Sequence, residues 1–315
     1  MKKSVVIMLL ALPCVAPVAA QDSDNVYNFL RLPASAHVSA LGGDNITLAE
    51  NDGSLVFHNP ALISYVSDMA LNLNMMTYME GSVTASASFT KALGDRATWG
   101  AQGRFISYGE MKETTTTGEQ TGTFGARDVA LSGSFAYGLT ERISGGITAK
   151  FVGSFIGSYS SIGACVDLGL NYYDPNHEWS LSAVARNLGG QLSAYEEDFE
   201  PVPLDLQLGV SKRLVGSPLR FHVTFVRLND WQYGISKHIV VGADLLLGQQ
   251  FYIAAGYNPL RAAQMKIKSG DSESSHGTAI SLGAGMTLER LQLHFAYAKY
   301  HVSSTSLLFT VSYIL

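Results

Sequence analysis

Ile162-Gly163-Ala164-Cys165-Val166-Asp167-Leu168-Gly169-Leu170-Asn171-Tyr172 decides the fold. In an extended chain successive side chains point to opposite faces, so Ile162, Ala164, Val166, Leu168, Leu170 and Tyr172 share one face and Gly163, Cys165, Asp167, Gly169 and Asn171 share the other. That division is a strand, apolar on one side and small or polar on the other. It recurs at 129–139, where Val129, Leu131, Phe135, Tyr137 and Leu139 oppose Ala130, Ser132, Ser134 and Gly138. It returns in Leu219, Phe221, Val223 and Phe225 against Arg220, His222 and Thr224, and late in Leu291, Leu293, Phe295 and Tyr297 against Gln292, His294 and Ala296.

Followed along the chain, the pattern predicts strands over 66–78, 81–91, 96–109, 127–139, 142–154, 159–173, 178–188, 203–214, 217–228, 236–246, 250–259, 276–287, 290–302 and 305–315. There are fourteen, an even number, and each is longer than the roughly 5–6 residues usual in globular sheets and suited to a tilted bilayer crossing. The connections sort by length. Turns around 93–95, 140–141, 174–177, 215–216, 247–249 and 289–290 are short, whereas the long stretches 110–126, 189–202, 229–235 and 260–275 all fall between the other strand ends. Short periplasmic turns and longer external loops are the rule for outer-membrane barrels.

Composition agrees. Asp, Glu, Lys and Arg make up 15% of the 315 residues, against about 25% in soluble domains. Glycine is plentiful at 31, and no apolar run after residue 20 reaches the length of a membrane helix. A net charge of -5 gives no footprint for nucleic acid. The expectation is an all-β membrane protein: a 14-stranded antiparallel outer-membrane β-barrel over residues 66–315. Trp99, Tyr137, Tyr172, Trp179, Tyr257 and Tyr313 fall near strand ends, where interfacial girdles sit. The terminal strand, with Leu307, Phe309, Val311, Tyr313 and Leu315 on one face, reads as part of an assembly signal.

Residues 1–20 read as an export signal, with Lys2 and Lys3, an apolar core from Val5 to Leu12, and Val18-Ala19-Ala20 as the cleavage site. Its removal takes the charge from -5 to -7 and leaves Cys165 as the single cysteine, so no internal disulfide is expected. Residues 21–65 do not alternate. Val26, Phe29 and Leu30 have helical spacing up to Pro33, and Ala34 to Leu41 predicts a second short helix stopped by Gly42-Gly43. Asn51-Asp52-Gly53 and Asn59-Pro60-Ala61 mark turns. This segment is expected to be an N-terminal hatch in a lumen too wide for the barrel's own side chains to fill.

The run Asn25-Val26-Tyr27-Asn28-Phe29-Leu30-Arg31-Leu32-Pro33, together with Ala40-Leu41-Gly42-Gly43, Asn59-Pro60-Ala61, Ala185-Arg186-Asn187-Leu188-Gly189 and Ala255-Gly256-Tyr257-Asn258, resembles the PorQ family. These are outer-membrane components of the Bacteroidetes type IX secretion system, within the FadL-like barrel superfamily. The resemblance implies a non-catalytic anchor that holds a PorZ-like surface protein in an attachment complex with PorU and PorV. That complex processes secreted cargo and joins it to lipopolysaccharide. The superfamily implies the alternative, a FadL-like transporter of hydrophobic small molecules; it would need an apolar pocket by the hatch and a gap in the wall, for which Gly145-Gly146 is a candidate.

Catalytic motifs are not found in the sequence, and no cofactor or metal is expected. His222 and His294 fall on the predicted lumen face near serines, and polar lining is the plainer reading of both. Cys165 reads as packing. Arg104, Asp128, Lys150, Asp167, Arg186, Arg220 and Asp244 are expected to face inward, where unpaired charge is costly, and with Asn59 and Pro60 to seal the hatch. In the external loops, Thr114 and Thr117, the acidic run with Tyr195, Glu196 and Glu197, and Trp231 with Tyr233 are the candidate partner contacts, each weighed against a solvated loop, a solvated charge cluster or girdle aromatics. Outer-membrane lipid and lipopolysaccharide complete the expected surroundings.

Overall fold

The computed structural model describes residues 25–315 apart from Glu80, Lys266, Gly270, Asp271, Ser275, His276, Val302 and Ser303. The export signal expected over 1–20 lies outside the described residues. The strands are β1 (Ala70–Thr77), β2 (Val83–Leu93), β3 (Ala97–Thr114), β4 (Gln120–Gly138), β5 (Ile143–Ile156), β6 (Tyr159–Asp174), β7 (Trp179–Ser193) and β8 (Asp205–Arg213). They continue as β9 (Leu219–Phe225), β10 (Ile239–Leu247), β11 (Phe251–Tyr257), β12 (Ile267–Ser269), β13 (Ser272–Ser274), β14 (Ile280–Thr287), β15 (Leu291–Ala298) and β16 (Ser306–Ile314). All but β12 and β13, which form a separate hairpin, join in one closed antiparallel barrel of fourteen strands. Each barrel strand pairs with its sequence neighbours, and β16 closes on β1 from Ala70↔Ile314 to Met76↔Leu308. Closure leaves no sheet edge for lipid to meet.

Burial is inverted relative to a soluble protein. Leu131 and Phe151 on the outer wall are 62% and 64% exposed, while Asp167 and Arg186 inside are 1% and 3% exposed. The alternating face read as apolar therefore points to lipid and the small, polar face points inward. Trp179, Tyr137, Tyr257 and Tyr313 stand exposed on the outer surface near strand ends.

Inside lies the hatch. A 3-10 turn spans Asn28–Arg31, helix α1 spans Ala36–Ala40 with Ser35 as its cap, and further 3-10 turns cover Gly53–Phe57 and Pro60–Tyr65. Gly42 and Gly43 follow α1 with φ of 104° and 96°, a backbone region that side chains disfavour, so the helix stops there. The hatch supplies Phe29, Leu30, Val38, Leu41, Leu55 and Leu62 to the core of the molecule.

Three expectations need correction. The loop placed at 110–126 is mostly strand, since β3 runs to Thr114 and β4 starts at Gln120. Threonines at 114–117, 121 and 123 favour extended backbone, and the hairpin they make stands beyond the last pairings with β2 at Ser107 and β5 at Ala126. The connection at 260–275 is not plain loop; it holds helix α2 (Pro259–Gln264), capped by Asn258, and the β12–β13 hairpin. Gly145-Gly146 marks no gap, because β5 pairs without interruption to β4 and β6 there. The register shifts lie between β3 and β4 and between β6 and β7.

Gly146 is instead a seat. A methyl added to it would lie 2.4 Å from the Pro60 carbonyl carbon, and one added to Gly256 would lie 2.2 Å from the Gly42 amide nitrogen. Hatch backbone packs directly on wall backbone at both places. Gly256→Ala is expected to destabilise the protein by about 1–3 kcal/mol through overpacking, read as a lower urea midpoint in detergent. Gly133→Ala is the control and should change nothing, since its methyl meets no atom within 4 Å.

Candidate functional site: the hatch lock and the mouth of the barrel

β9, β10, β11 and β15 bring Arg220, His222, Asp244, Tyr252 and His294 to one patch of the lumen, and α1 inserts His37 among them. The His37 Nε2–H donates to Asp244 Oδ1 at 3.0 Å, and its Nδ1 stands 3.1 Å from Glu50 Oε2. Arg220 grips both acids, from Nη2 to Glu50 Oε1 at 2.5 Å and from Nε and Nη2 to Asp244 Oδ2 at 2.8 and 2.6 Å. His222 Nε2 reaches the same Asp244 oxygen at 2.9 Å. The His37 ring stacks on Tyr252 with centroids 3.9 Å apart, and the Tyr252 hydroxyl shares a 2.8 Å hydrogen bond with His294 Nδ1.

Burial opposes a charge on His37, but Glu50 and Asp244 on its two nitrogens outweigh it and its pKa is pushed up to about 9. Burial likewise opposes ionisation of Glu50; Arg220 and His37 overcome it and hold the carboxyl well below its ordinary range. Two acids thus face two cations, and the hatch supplies one of each.

A second group lies across the lumen. Lys150 Nζ pairs with Asp167 at 2.6 Å and donates to Asn187 Oδ1 at 2.8 Å, while the Asn187 amide donates to Asp167 Oδ1 at 2.7 Å. Arg186 donates to Leu30 O at 2.9 Å and Arg104 to Leu32 O at 2.5 Å, so each guanidinium holds a hatch carbonyl on either side of Arg31. Asp128 accepts from Tyr108 at 2.8 Å and from Ser154. Asn59 donates to Ile46 O at 3.0 Å and caps the turn begun by Pro60. The structure thus gathers Arg104, Asp128, Lys150, Asp167, Arg186, Arg220 and Asp244 inside the barrel. Arg104, Arg186, Arg220 and Asp244 touch the hatch; Asp128 and the Lys150–Asp167 pair bond within the wall. Cys165 is buried in the core beside Tyr27 and unpaired.

The mouth is the end where the long connections gather. Beyond Arg186, β7 has no ladder to β8, which begins at Asp205. The stretch before β8 folds inward instead: Asn187 Nδ2 donates to Pro203 O at 3.0 Å, and Val26 at the start of the hatch donates to Pro201 O at 3.0 Å. Tyr195 is half-buried with its hydroxyl on Ser154 at 2.5 Å, while Glu196 and Glu197 are exposed. Tyr233 packs on Val226, Val240 and Leu260, whereas Trp231 is exposed. Thr114 ends β3, and Thr117 lies in the exposed turn, bonded to Thr115 at 2.7 Å. These loop candidates do not converge on one site. A cavity of about 200 Å³ opens at the mouth, lined in part by Arg31, Asp44, Asp205, Arg227, Arg261 and Tyr300. Burial and the nearby Asp205 carboxylate raise the pKa of Asp44.

His37, Glu50, Tyr252 and the mouth cavity carry no signature in the sequence. The spacing predicts a short helix around His37, but its partner Asp244 lies 207 residues away and no local pattern links them.

The molecule is a closed fourteen-stranded antiparallel β-barrel whose fold is like that of FadL-type outer-membrane barrels. Among solved structures it is similar to the Pseudomonas putida toluene transporter TodX at TM-score 0.60 and 14% identity, over 90% of this chain and 98% of that one. A Pseudomonas aeruginosa FadL homologue matches at TM-score 0.56 and 11% identity, covering 89% of this chain and 98% of that one, and the CymD monoaromatic hydrocarbon channel at 0.55 and 13%, covering 90% and 97%. At such identities the likeness concerns the fold. No family model and no curated protein matches the chain.

Asp244→Asn is expected to cost about 3–5 kcal/mol, because it strips a buried His37 and a half-buried Arg220 of a shared counter-charge. Unfolding midpoints and protease cleavage of the hatch would read it. The pH profile follows from signs. His37 has a raised folded pKa, so its contribution is whole below its ordinary 6.5 and is lost as pH rises through about 9. Glu50 has a depressed one, so its contribution is whole above its ordinary 4.5 and is lost as pH falls. The hatch should be firmest between about pH 4.5 and 6.5, and His37→Gln should flatten the alkaline limb of the midpoint-versus-pH curve.

Proposed function

We propose that the protein is a non-catalytic outer-membrane anchor whose external face holds a surface protein, in the manner its PorQ-like sequence implies: a PorZ-like partner within a type IX attachment complex that includes PorU and PorV. The observation that carries this reading is the mouth. Its cavity sets arginine and aspartate side chains among Leu32, Val226, Leu260 and Met265, so a hydrocarbon entering it would have to strip water from charged groups, and the hatch behind it is fastened to the wall at several points. The projecting β3–β4 hairpin and the exposed Trp231 and Phe199 offer a protein-sized contact beyond the membrane.

A second reading is transport of hydrophobic small molecules. The solved barrels favour it over the first, since TodX is named as a toluene transporter and CymD as a monoaromatic hydrocarbon channel, and none of those structures concerns secretion. Two measurements separate the readings. Solubilised in mild detergent with an affinity tag in the short turn at Val215-Gly216, away from the mouth, the anchor should bring out one surface-exposed protein in stoichiometric amount, and its deletion should leave labelled toluene and fatty-acid uptake unchanged. Uptake that falls on deletion, with no partner recovered, overturns the anchor and supports the transporter.

A further inference from the structure

We infer that a depression on the lipid-facing wall at Ala284 is a binding groove for one acyl chain of a zwitterionic phospholipid, whose headgroup rests on Glu289 and Arg290. This rests on the barrel lying in a bilayer and on neither functional reading above. Strand register sets the groove. Ile253, Ala284, Phe295 and Phe309 lie side by side across β11, β14, β15 and β16. Three of the four are large and exposed on the outer face, and Ala284 alone is short. The adjoining row toward the turn, with Phe251, Met286 and Leu293, is bulky again. The result is a cavity of about 540 Å³ whose lining is largely apolar and also includes Tyr252, His294 and Thr310.

A void in a lipid-facing wall forfeits dispersion contacts unless atoms fill it, and in hydrocarbon the atoms at hand are acyl chains. The chemistry at its rim selects the lipid. Met286 lies two residues before the turn Leu288–Arg290, whose residues are all exposed. Arg290 offers a guanidinium to a phosphate, and Glu289 offers a carboxylate to an ammonium group, the two charges of an ethanolamine headgroup. This is the short-turn end, so the lipid belongs to the leaflet of glycerophospholipid and not to that of lipopolysaccharide.

The groove is tested by native mass spectrometry of the whole protein released from nanodiscs of phosphatidylethanolamine and phosphatidylglycerol, with and without added lipopolysaccharide. One phosphatidylethanolamine per chain should survive release. Ala284→Phe, which fills the depression from outside, should cut its retention by about fivefold or more, and Ala284→Leu should do so to a lesser degree. Leu131→Phe on a distant part of the wall should leave it unchanged. Charge removal at the turn, Glu289→Gln with Arg290→Gln, should abolish the preference over phosphatidylglycerol while a lipid is still held. Heat-shifted mobility on gels checks that each variant is folded. Equal retention by Ala284→Phe and the parent overturns the proposal, as does a parent that keeps no phospholipid, or one that keeps lipopolysaccharide in its place.

Discussion

A sheet that must close on itself in lipid leaves an interior that its own side chains do not fill, and the rest of this molecule answers that constraint. Closure satisfies the backbone, because every interior strand finds a neighbour and β16 meets β1. It also creates a lumen wide enough to admit more than forty residues of chain. The hatch is that chain. Its apolar side chains make the molecule's core, while the wall contributes small residues and polar side chains to receive it.

The low charge and the many glycines follow from the same arrangement. The outer surface needs few charges where it meets hydrocarbon, and those present lie in the lumen, at the mouth and at the short turns. Glycines such as Gly146 and Gly256 face the lumen where hatch backbone approaches to contact distance. They are shaped by packing and do not loosen the wall, which is why a glycine pair was a poor sign of a lateral opening. The wall is irregular elsewhere, where β7 loses β8 and two prolines with inward-folding neighbours take the place of a ladder.

The barrel was legible because alternation is local: two residues in succession reveal two faces, and the lengths of turns and loops sort the ends. Inward placement of Arg104 or Asp244 follows from parity along a strand. Partnership does not. Nothing near Asp244 in sequence points to His37 or Glu50, since the pairing depends on where α1 comes to rest. The β3–β4 hairpin is hidden for a different reason: polar threonines and glycines suggest loop by composition, yet β-branched side chains keep the backbone extended beyond the membrane, where polarity no longer distinguishes strand from loop. The mouth cavity is assembled from the hatch and the ends of several strands, so no single stretch carries its signature.

The His37 cluster explains how a segment held mainly by apolar contact acquires a single position. Hydrophobic packing against a wall of alternating small residues tolerates a shift along the strands, because one alanine or serine resembles the next. The ion cluster does not tolerate it. Displacing α1 by one residue would carry the imidazolium off Asp244 and Glu50 away from Arg220, leaving the fully buried His37 and Asp244 without their counter-charges. The costs of burying these groups are therefore recovered only at one register, which makes the cluster a device for position more than for stability. Position then reaches the surface. α1 fixes the turn at Gly42-Gly43, on which Arg261 and Asn258 hold the floor of the mouth, and the stretch of hatch before α1 fixes Val26 against Pro201 in the inward-folded segment that carries Glu196 and Glu197. The register of the hatch is thereby carried from the ion cluster to the mouth through hydrogen bonds and not through apolar contact alone.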